Sequence, residues 1–479
     1  MKERIYITTT LPYVNADPHI GFALEAVQAD ACARWHRGSG REVFFNTGTD
    51  EHGQKIWKKA QELGKDPQEY SNEAVIHFEA LKGKLNLSYD NFIRTTGHAH
   101  VAAAQEFWRR CDKSGDIYKK KYQLKYCVGC ELEKSASELV GGRCPIHPHM
   151  ELELIDEENY FFKFSKYQDQ LLELYKNDDF VLPESRRNEV RNFASQGLND
   201  FSISRLAEKM PWGIAVPGEE AILPAGRQVM YVWFDALVNY VSAIGWPERM
   251  EEFEKWWPVI QFAGKDNTRQ QAAMWQAMLL SAGLSPSRQI VIHGFITSGG
   301  AKMSKSAGNV IDPIAIVDEY GTDALRYYLL SAVSPFEDSD FTMEKFKESY
   351  NGNLANGLGN LVSRIMKMSE VYQVSSQLTE VRLQSIPPEY QCAMESYRYN
   401  DAMDVIWENI RDADLRITET EPFKLVKTDA EAGKKIITEL VHALAEIAYL
   451  LTPFMPSTAE AIQNAIKENR LPSPLFVRK

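Results

Sequence analysis

The chain has 479 residues, 44% of them apolar and 25% charged, an ordinary globular composition long enough for roughly two to four domains. Its 28 Gly and 21 Pro are scattered without a repeat, which excludes fibrous and disordered classes. With 54 Lys+Arg against 66 Asp+Glu the net charge is −12, so a nucleic acid could dock only on local basic patches. No run of about 18 apolar residues predicts a membrane span. Met1–Thr10 lacks the apolar core of a signal peptide, and six cysteines in so long a chain are no disulfide scaffold. A cytoplasmic protein without a membrane partner is expected.

Ile5–Thr10 is β-branched and aromatic and reads as a strand, closed by Pro12 and Pro18. Gly21–Arg37 carries Leu24, Val27, Ala31 and Trp35 at helical spacing and stops at Gly38-Ser39-Gly40. Glu42–Asn46 is a second strand and Lys55–Leu63 a second helix. That alternation predicts a parallel sheet covered by helices. The texture changes near Tyr118 and resumes with strands expected at Val229–Leu237, Val259–Gly264 and Gln289–Phe295. Helices are expected at Arg269–Ala282 and from Pro313. Beyond Met343 the pattern is helical only, over Leu354–Val371, Ile386–Thr418 and Glu431–Ala465. The expected architecture is α/β, a Rossmann-like doubly wound sheet split by an inserted domain and followed by an all-α bundle. The division reads 1–115 and 227–345 for the sheet domain, 116–226 for the insertion and 346–479 for the bundle.

Pro18-His19-Ile20-Gly21 stands between a strand and a helix N-terminus, where unpaired N–H groups and the positive dipole end suit an anion. His19 is equally suited to a capping role. Lys302-Met303-Ser304-Lys305-Ser306 follows Gly299-Gly300; two lysines three apart on such a loop can close over a polyphosphate. Cys127, Cys130, Cys144 and His147 form a Cys₃His pattern for structural Zn²⁺, with His149 an alternative ligand and a redox pair a second reading. No GxxxxGK[ST] or HExxH motif is present, which removes the P-loop and zinc-hydrolase readings.

Together the His19 and Lys302–Ser306 stretches resemble the HIGH and KMSKS signatures of class I aminoacyl-tRNA synthetases. Leu11–Asn15, Thr49–Gly53, Tyr231–Asp235, Gly264-Lys265-Asp266 and Gly308–Pro313 resemble the methionyl-tRNA synthetase family, in collinear order from Arg4 to about Lys427. The resemblance implies activation of methionine with ATP and transfer to tRNA(Met); with no appended dimerisation module visible after the bundle, a monomer is expected. His19, Lys302 and Lys305 would act on the phosphates of ATP, which brings its own Mg²⁺. Pro18, Gly21, Glu25, Gly264 and Asp266 would hold the nucleotide. Asp50 would take the methionine ammonium, and Leu11, Tyr13, Trp233, Leu237, Tyr240, Gln271 and Trp275 its side chain. In the bundle Asn360, Arg364, Pro422 and Phe423 would read the anticodon. Lys119–Lys121, Arg186, Arg187 and Arg191 are basic groups available to the acceptor end.

Four positions depart from the family pattern: Phe22, Gln271, its neighbour Gln270, commonly aromatic, and Phe423, which follows Pro422 where the family has a Pro-Trp pair. Phe22 stands where the signature has a second histidine; losing a phosphate donor typically costs about 3–4 kcal/mol if it acts on the transition state. Gln271 replaces a pocket histidine, and its amide can still bond a tyrosine hydroxyl. A class I synthetase for another amino acid and a non-enzymatic tRNA-binding paralogue are the competing readings. The insertion is too short for the editing domain of the Ile, Leu and Val enzymes.

Overall fold

The computed structural model describes residues 2–130, 132–134, 138–219, 226–303, 309–374 and 386–479. Six parallel strands form the central sheet: β1 (Arg4–Thr8), β2 (Glu42–Thr49), β3 (Asn91–Arg94), β4 (Val181–Leu182), β5 (Val259–Gly264) and β6 (Gln289–His293). Their spatial order is β3-β2-β1-β5-β6-β4, every pairing parallel. All six residues of β5 are buried, as expected of a strand with helices on both faces. Chain order reverses between β1 and β5, and at such a switch point the strand ends open a crevice for ligands.

The segment expected as an insertion does not fold wholly apart, because β4 lies within it and forms an edge of the central sheet. The rest of that segment builds an antiparallel sheet on the hairpin of Ile117–Cys127 with Glu153–Phe162. The expected strand Val229–Leu237 is corrected to a short strand, Gln228–Met230, followed by a helix, Val232–Ala236. An apolar run buried on every side carries no period, so strand and helix look alike in it.

The helices that matter below are α1 (Ile20–Gly38), α2 (Thr322–Ser331), α3 (Asn360–Tyr372), α4 (Tyr399–Thr420), α5 (Ala430–Leu451) and α6 (Pro456–Glu468). The helix expected over Ile386–Thr418 is two, Pro388–Glu395 and α4, broken where Tyr397 takes φ 58°. Glu431–Ala465 likewise divides at Pro453 and Pro456. A π-helix, Tyr350–Gly359, leads into α3. One hydrophobic core runs from α1 and the sheet through α2 into α3–α6, so the bundle is packed on the back of the sheet domain. Among the described residues no helix is long and apolar enough to cross a membrane.

Candidate active site

The loop after β1 delivers His19 to the start of α1. His19 is the N-cap, and its Nδ1 accepts from the Gly21 N–H at 3.1 Å. Both readings of His19 are therefore compatible: capping occupies Nδ1 as an acceptor and leaves Nε2–H to point outward as a donor. The ring edge reaches solvent, but the cleft walls desolvate it enough to lower its pKa, opposed by the charge of Asp266. A Cβ at Gly21 would sit 3.0 Å from His19 Cε1, so glycine leaves room for this cap. Pro18 is buried beside it. Phe22 turns away from the cap onto Phe78, ring centroids 5.9 Å apart, and so contributes packing.

The second signature stands on a hairpin of β7 (Ile296–Ser298) and β8 (Ala301–Lys302), turned by Gly299 and Gly300 at φ 62° and 75°. Two consecutive positive φ values suit a tight hairpin turn and only glycine adopts them freely. Asp340 anchors the turn, accepting from Gly300 N–H at 2.8 Å and Thr297 Oγ1 at 3.0 Å. The Lys302 backbone pairs with Thr297; Ser304, Lys305 and Ser306 lie outside the described residues. Downstream, the Ile311 carbonyl accepts from the Ile20 N–H at 3.2 Å, which ties the two signature segments together at the N-terminus of α1.

Asp50, 3% exposed, follows β2 and bridges Tyr13 in parallel; its N–H donates to the Pro12 carbonyl at 3.0 Å. That bridge brings the Leu11–Tyr13 stretch alongside Asp50. Leu237, Tyr240, Gln271 and Trp275 are buried, while Leu11, Tyr13 and Trp233 are half-buried. Tyr240 and Trp275 meet edge to face at 5.8 Å. Gln271 sits in a π-helical turn, Gln270–Met274, and its Oε1 accepts from Gln261 Nε2 at 2.8 Å. Such turns displace side chains from ordinary helical positions and recur at functional sites. Gly264 and Asp266 close the other side, at the end of β5: a Cβ on Gly264 would lie 2.9 Å from Asp266 Oδ1.

Two buried networks behind these residues escaped the sequence reading. Asp235 Oδ2 lies 2.7 Å from His52 Nδ1 and Oδ1 lies 2.8 Å from His100 Nε2, whose other nitrogen meets Ser242 Oγ at 3.0 Å. Burial pushes the Asp235 carboxyl up, but His52 and His100 outweigh it and hold it at about 2. The network joins the Asp50 loop to the helix bearing Trp233. Glu25 is the second case: its carboxylate is engaged inside the protein by Thr10 and His293.

In the insertion, Cys127, Cys130, Cys144 and His147 place one donor atom each within 4.8 Å of one another. Cys130 Sγ stands 3.5 Å from Cys144 Sγ and 3.2 Å from His147 Nδ1. Metal–sulfur distances of about 2.3 Å give tetrahedral edges somewhat under 4 Å, so the donor set fits Zn²⁺ and is too open for a disulfide. His147 is the histidine of the cluster; His149 is exposed outside it. Gly129 is required here, since a Cβ would be 2.6 Å from His147 Cγ. Lys55 links the cluster to the pocket, donating to the Gly129 carbonyl at 3.2 Å with its ammonium 5.0 Å from the Tyr13 ring centroid.

In the bundle Arg364 is paired with Asp414, Asn360 is exposed one turn before it, and Phe423 is exposed beside buried Pro422. The Phe423 carbonyl accepts from Tyr372 Oη at 3.2 Å, at the far end of α3, about 18 Å along the helix from Asn360. Asn360 and Arg364 are thus placed on α3, and Pro422 and Phe423 on the segment that meets its C-terminal end. Of the basic groups, Lys119 is committed to Glu219 at 2.9 Å and Arg187 to Asp178 at 2.7 Å. A cleft of about 490 Å³ lined by Asp179, Arg288, Phe336 and Glu395 opens beside the first residue of β6 and takes in none of these site residues.

Residues 5–153 and 135–366 match the family described as tRNA synthetases class I (M). The methionine–tRNA ligase of Nostoc sp. is 42% identical, with 95% of this chain and 88% of that protein covered. The chain belongs to the methionyl-tRNA synthetase family. The methionine–tRNA ligase of Thermotoga maritima is 39% identical over 98% of this chain and 76% of its own. Among solved structures, Mycobacterium tuberculosis methionyl-tRNA synthetase in complex with methionyl-adenylate superposes with a TM-score of 0.86 at 35% identity, covering 96% of this chain and 93% of that one. The apo form of the same enzyme gives 0.80 at 31% identity, covering 100% and 98%. In this chain His19 follows the end of β1, Gly264 and Asp266 stand at the end of β5, and Asp50 with Tyr13 at the end of β2.

Proposed function

We propose that this chain activates methionine with ATP and transfers the product to the 3′ end of tRNA(Met). The observation that supports the reading is that β1, β2 and β5 are neighbours where the sheet order reverses, with His19 after β1 within the field of Asp266 after β5, and Tyr13 bridged to Asp50 after β2. In the first step a methionine carboxylate oxygen bonds to the α-phosphorus while the bridging P–O bond breaks and pyrophosphate leaves. No protein nucleophile or general base is needed, only placement and stabilisation of crowded negative charge. In the second step a terminal ribose hydroxyl bonds to the aminoacyl carbon, AMP leaves, and the hydroxyl proton is released.

His19 Nε2–H is the donor to phosphate, and Lys302 and Lys305 neutralise the leaving pyrophosphate; Mg²⁺ enters with ATP and offsets further charge. Pro18, Gly21, Gly264 and Asp266 hold the nucleotide, with Glu25 beneath them. Asp50 takes the ammonium group. Leu11, Tyr13, Trp233, Leu237, Tyr240, Gln271 and Trp275 take the thioether chain, for which a polarisable apolar lining is suited. Cys127, Cys130, Cys144 and His147 hold a structural Zn²⁺, and Asn360, Arg364, Pro422 and Phe423 lie on the anticodon face. The test is amino-acid-dependent ATP–pyrophosphate exchange over all twenty amino acids without tRNA. Exchange with methionine alone is expected; exchange with another amino acid, or silence from folded protein, refutes the reading.

A further inference from the structure

Glu25 is 4% exposed, and both of its oxygens are occupied from within the protein. Oε1 accepts from the backbone N–H and the hydroxyl of Thr10, each at 2.6 Å. Oε2 lies 2.9 Å from Nε2 of His293, which ends β6. The other ring nitrogen, Nδ1, lies 2.8 Å from the carbonyl oxygen of Gly294. A carbonyl only accepts, so Nδ1 carries a proton. A neutral ring would then aim its Nε2 lone pair at a carboxylate, two acceptors face to face. One more proton must stand between them. Both Glu25 oxygens then serve as acceptors, Oε1 from Thr10 and Oε2 from the ring, and we assign that proton to the ring.

The pair sits under the nucleotide corner. A Cβ on Gly264 would lie 3.5 Å from His293 Cε1, and 2.9 Å from Asp266 Oδ1. Next along the chain, Gly294 packs so closely that a Cβ would meet the Glu337 carbonyl carbon at 2.3 Å, and the Phe295 N–H donates to Asp338 Oδ1 at 2.9 Å. Strand β7 and the lysine hairpin begin immediately after.

We propose that His293 is a positioning residue for ATP: its buried imidazolium neutralises and orients Glu25, so that a carboxylate can lie beneath a polyanionic nucleotide. The assignment rests on the reading of the Glu25, Gly264 and Asp266 corner as the nucleotide site. The charged groups facing the ring are Glu25 from α1 and Asp266 from the turn after β5; Lys265 on that turn is committed to Asp338 at 2.6 Å. Burial opposes the ring's charge, but Glu25, the Gly294 carbonyl and Asp266 outweigh it and raise the pKa. Without the ring charge the Glu25 carboxylate is left uncompensated where ATP must bind.

Two measurements test this. In ¹⁵N NMR of the whole protein, both His293 ring nitrogens are protonated at pH 7 and lose a proton only above the range of free imidazole; a singly protonated ring at pH 7 overturns the proposal. In pyrophosphate exchange, His293→Asn keeps the bond to Gly294 and loses Glu25; it raises KM for ATP about tenfold and changes KM for methionine less than about twofold. His293→Gln keeps a neutral donor to Glu25 and falls between the two. Equal rises in both KM values, or an unchanged KM for ATP, mark a purely structural residue and overturn the proposal. If the wild-type protein shows no exchange, the activation reading fails, and the NMR titration alone decides the state of His293.

Discussion

Arg326 on α2 is completely buried and joins three parts of the molecule. It pairs with Asp30 of α1 at 2.8 Å and donates to the carbonyls of Leu85 at 3.1 Å, Pro453 at 2.9 Å and Phe454 at 2.8 Å. The last two stand between α5 and α6, so one guanidinium staples the bundle to the sheet domain. Arg326→Met fills most of the volume and removes every donor. Breaking one partner out of a buried pair typically costs about 3–5 kcal/mol, and orphaned buried acceptors add about 1–3 kcal/mol each. Asp30 keeps Arg34 at 2.7 Å and the N–H and hydroxyl of Ser88, each at 2.6 Å, which holds the total toward the lower figures. A loss of about 3–5 kcal/mol is therefore expected in denaturant unfolding at pH 7.

Asp30→Asn should cost a similar amount, and the double variant well under the sum, since both remove one interaction. The acid side supplies a second signature. Burial pushes the Asp30 carboxyl up, but Arg326, Arg34 and Ser88 outweigh it, so its folded pKa is lowered. A depressed carboxyl contributes stability above its unfolded pKa of about 3.9 and loses it as pH falls through the folded value. In Arg326→Met the folded value rises, so this contribution shrinks and the acid limb of unfolding moves to higher pH. A loss under about 1 kcal/mol, or strict additivity in the double variant, would refute the reasoning.

Gly129→Ala should expel His147 from the cysteine cluster, because the new Cβ falls 2.6 Å from its ring; the metal content found on analysis of purified protein should fall below that of the parent chain, with Cys392→Ser, outside the cluster, as the unaffected control. Asp235→Asn leaves His52 and His100 with a neutral partner in a buried site and should cost about 2–4 kcal/mol at pH 7. Because the Asp235 carboxyl is held at about 2, its contribution is present above the unfolded pKa of about 3.9 and fades as pH falls between the two. The gap between wild type and variant should close over that window in acid-unfolding curves, and a gap independent of pH would contradict the assignment.

Chemistry carried by neighbours in sequence was legible before any fold was known. Two cysteines three positions apart, followed by a cysteine and a histidine three apart, already form the pattern of a tetrahedral metal site, and the fold brings their donor atoms within 4.8 Å of one another. The β1–α1 junction at His19 and the double-glycine turn before Lys302 were readable for the same reason: local backbone freedom and helix ends are set by the residues that occupy them. What stayed open was the choice between functional and capping roles for His19, since both need the same residue in the same place. The aromatic run Tyr231–Phe234 was misassigned as strand because burial on all sides erases periodicity.

Relations between distant residues were decided only by the tertiary structure. His52 meets Asp235 across 183 positions, Glu25 meets His293 across 268, and Arg326 reaches Phe454 across 128. No spacing rule connects such pairs; the sheet order β3-β2-β1-β5-β6-β4 does, by setting β5 and β6 beside β1 so that their ends share one crevice. The sequence by itself carried the family resemblance, the Cys₃His pattern and the short segments that bear the candidate site residues, because those depend on residue type and local geometry. The fold alone decided which charges are buried together, because desolvation and pairing depend on neighbours that the chain order does not name.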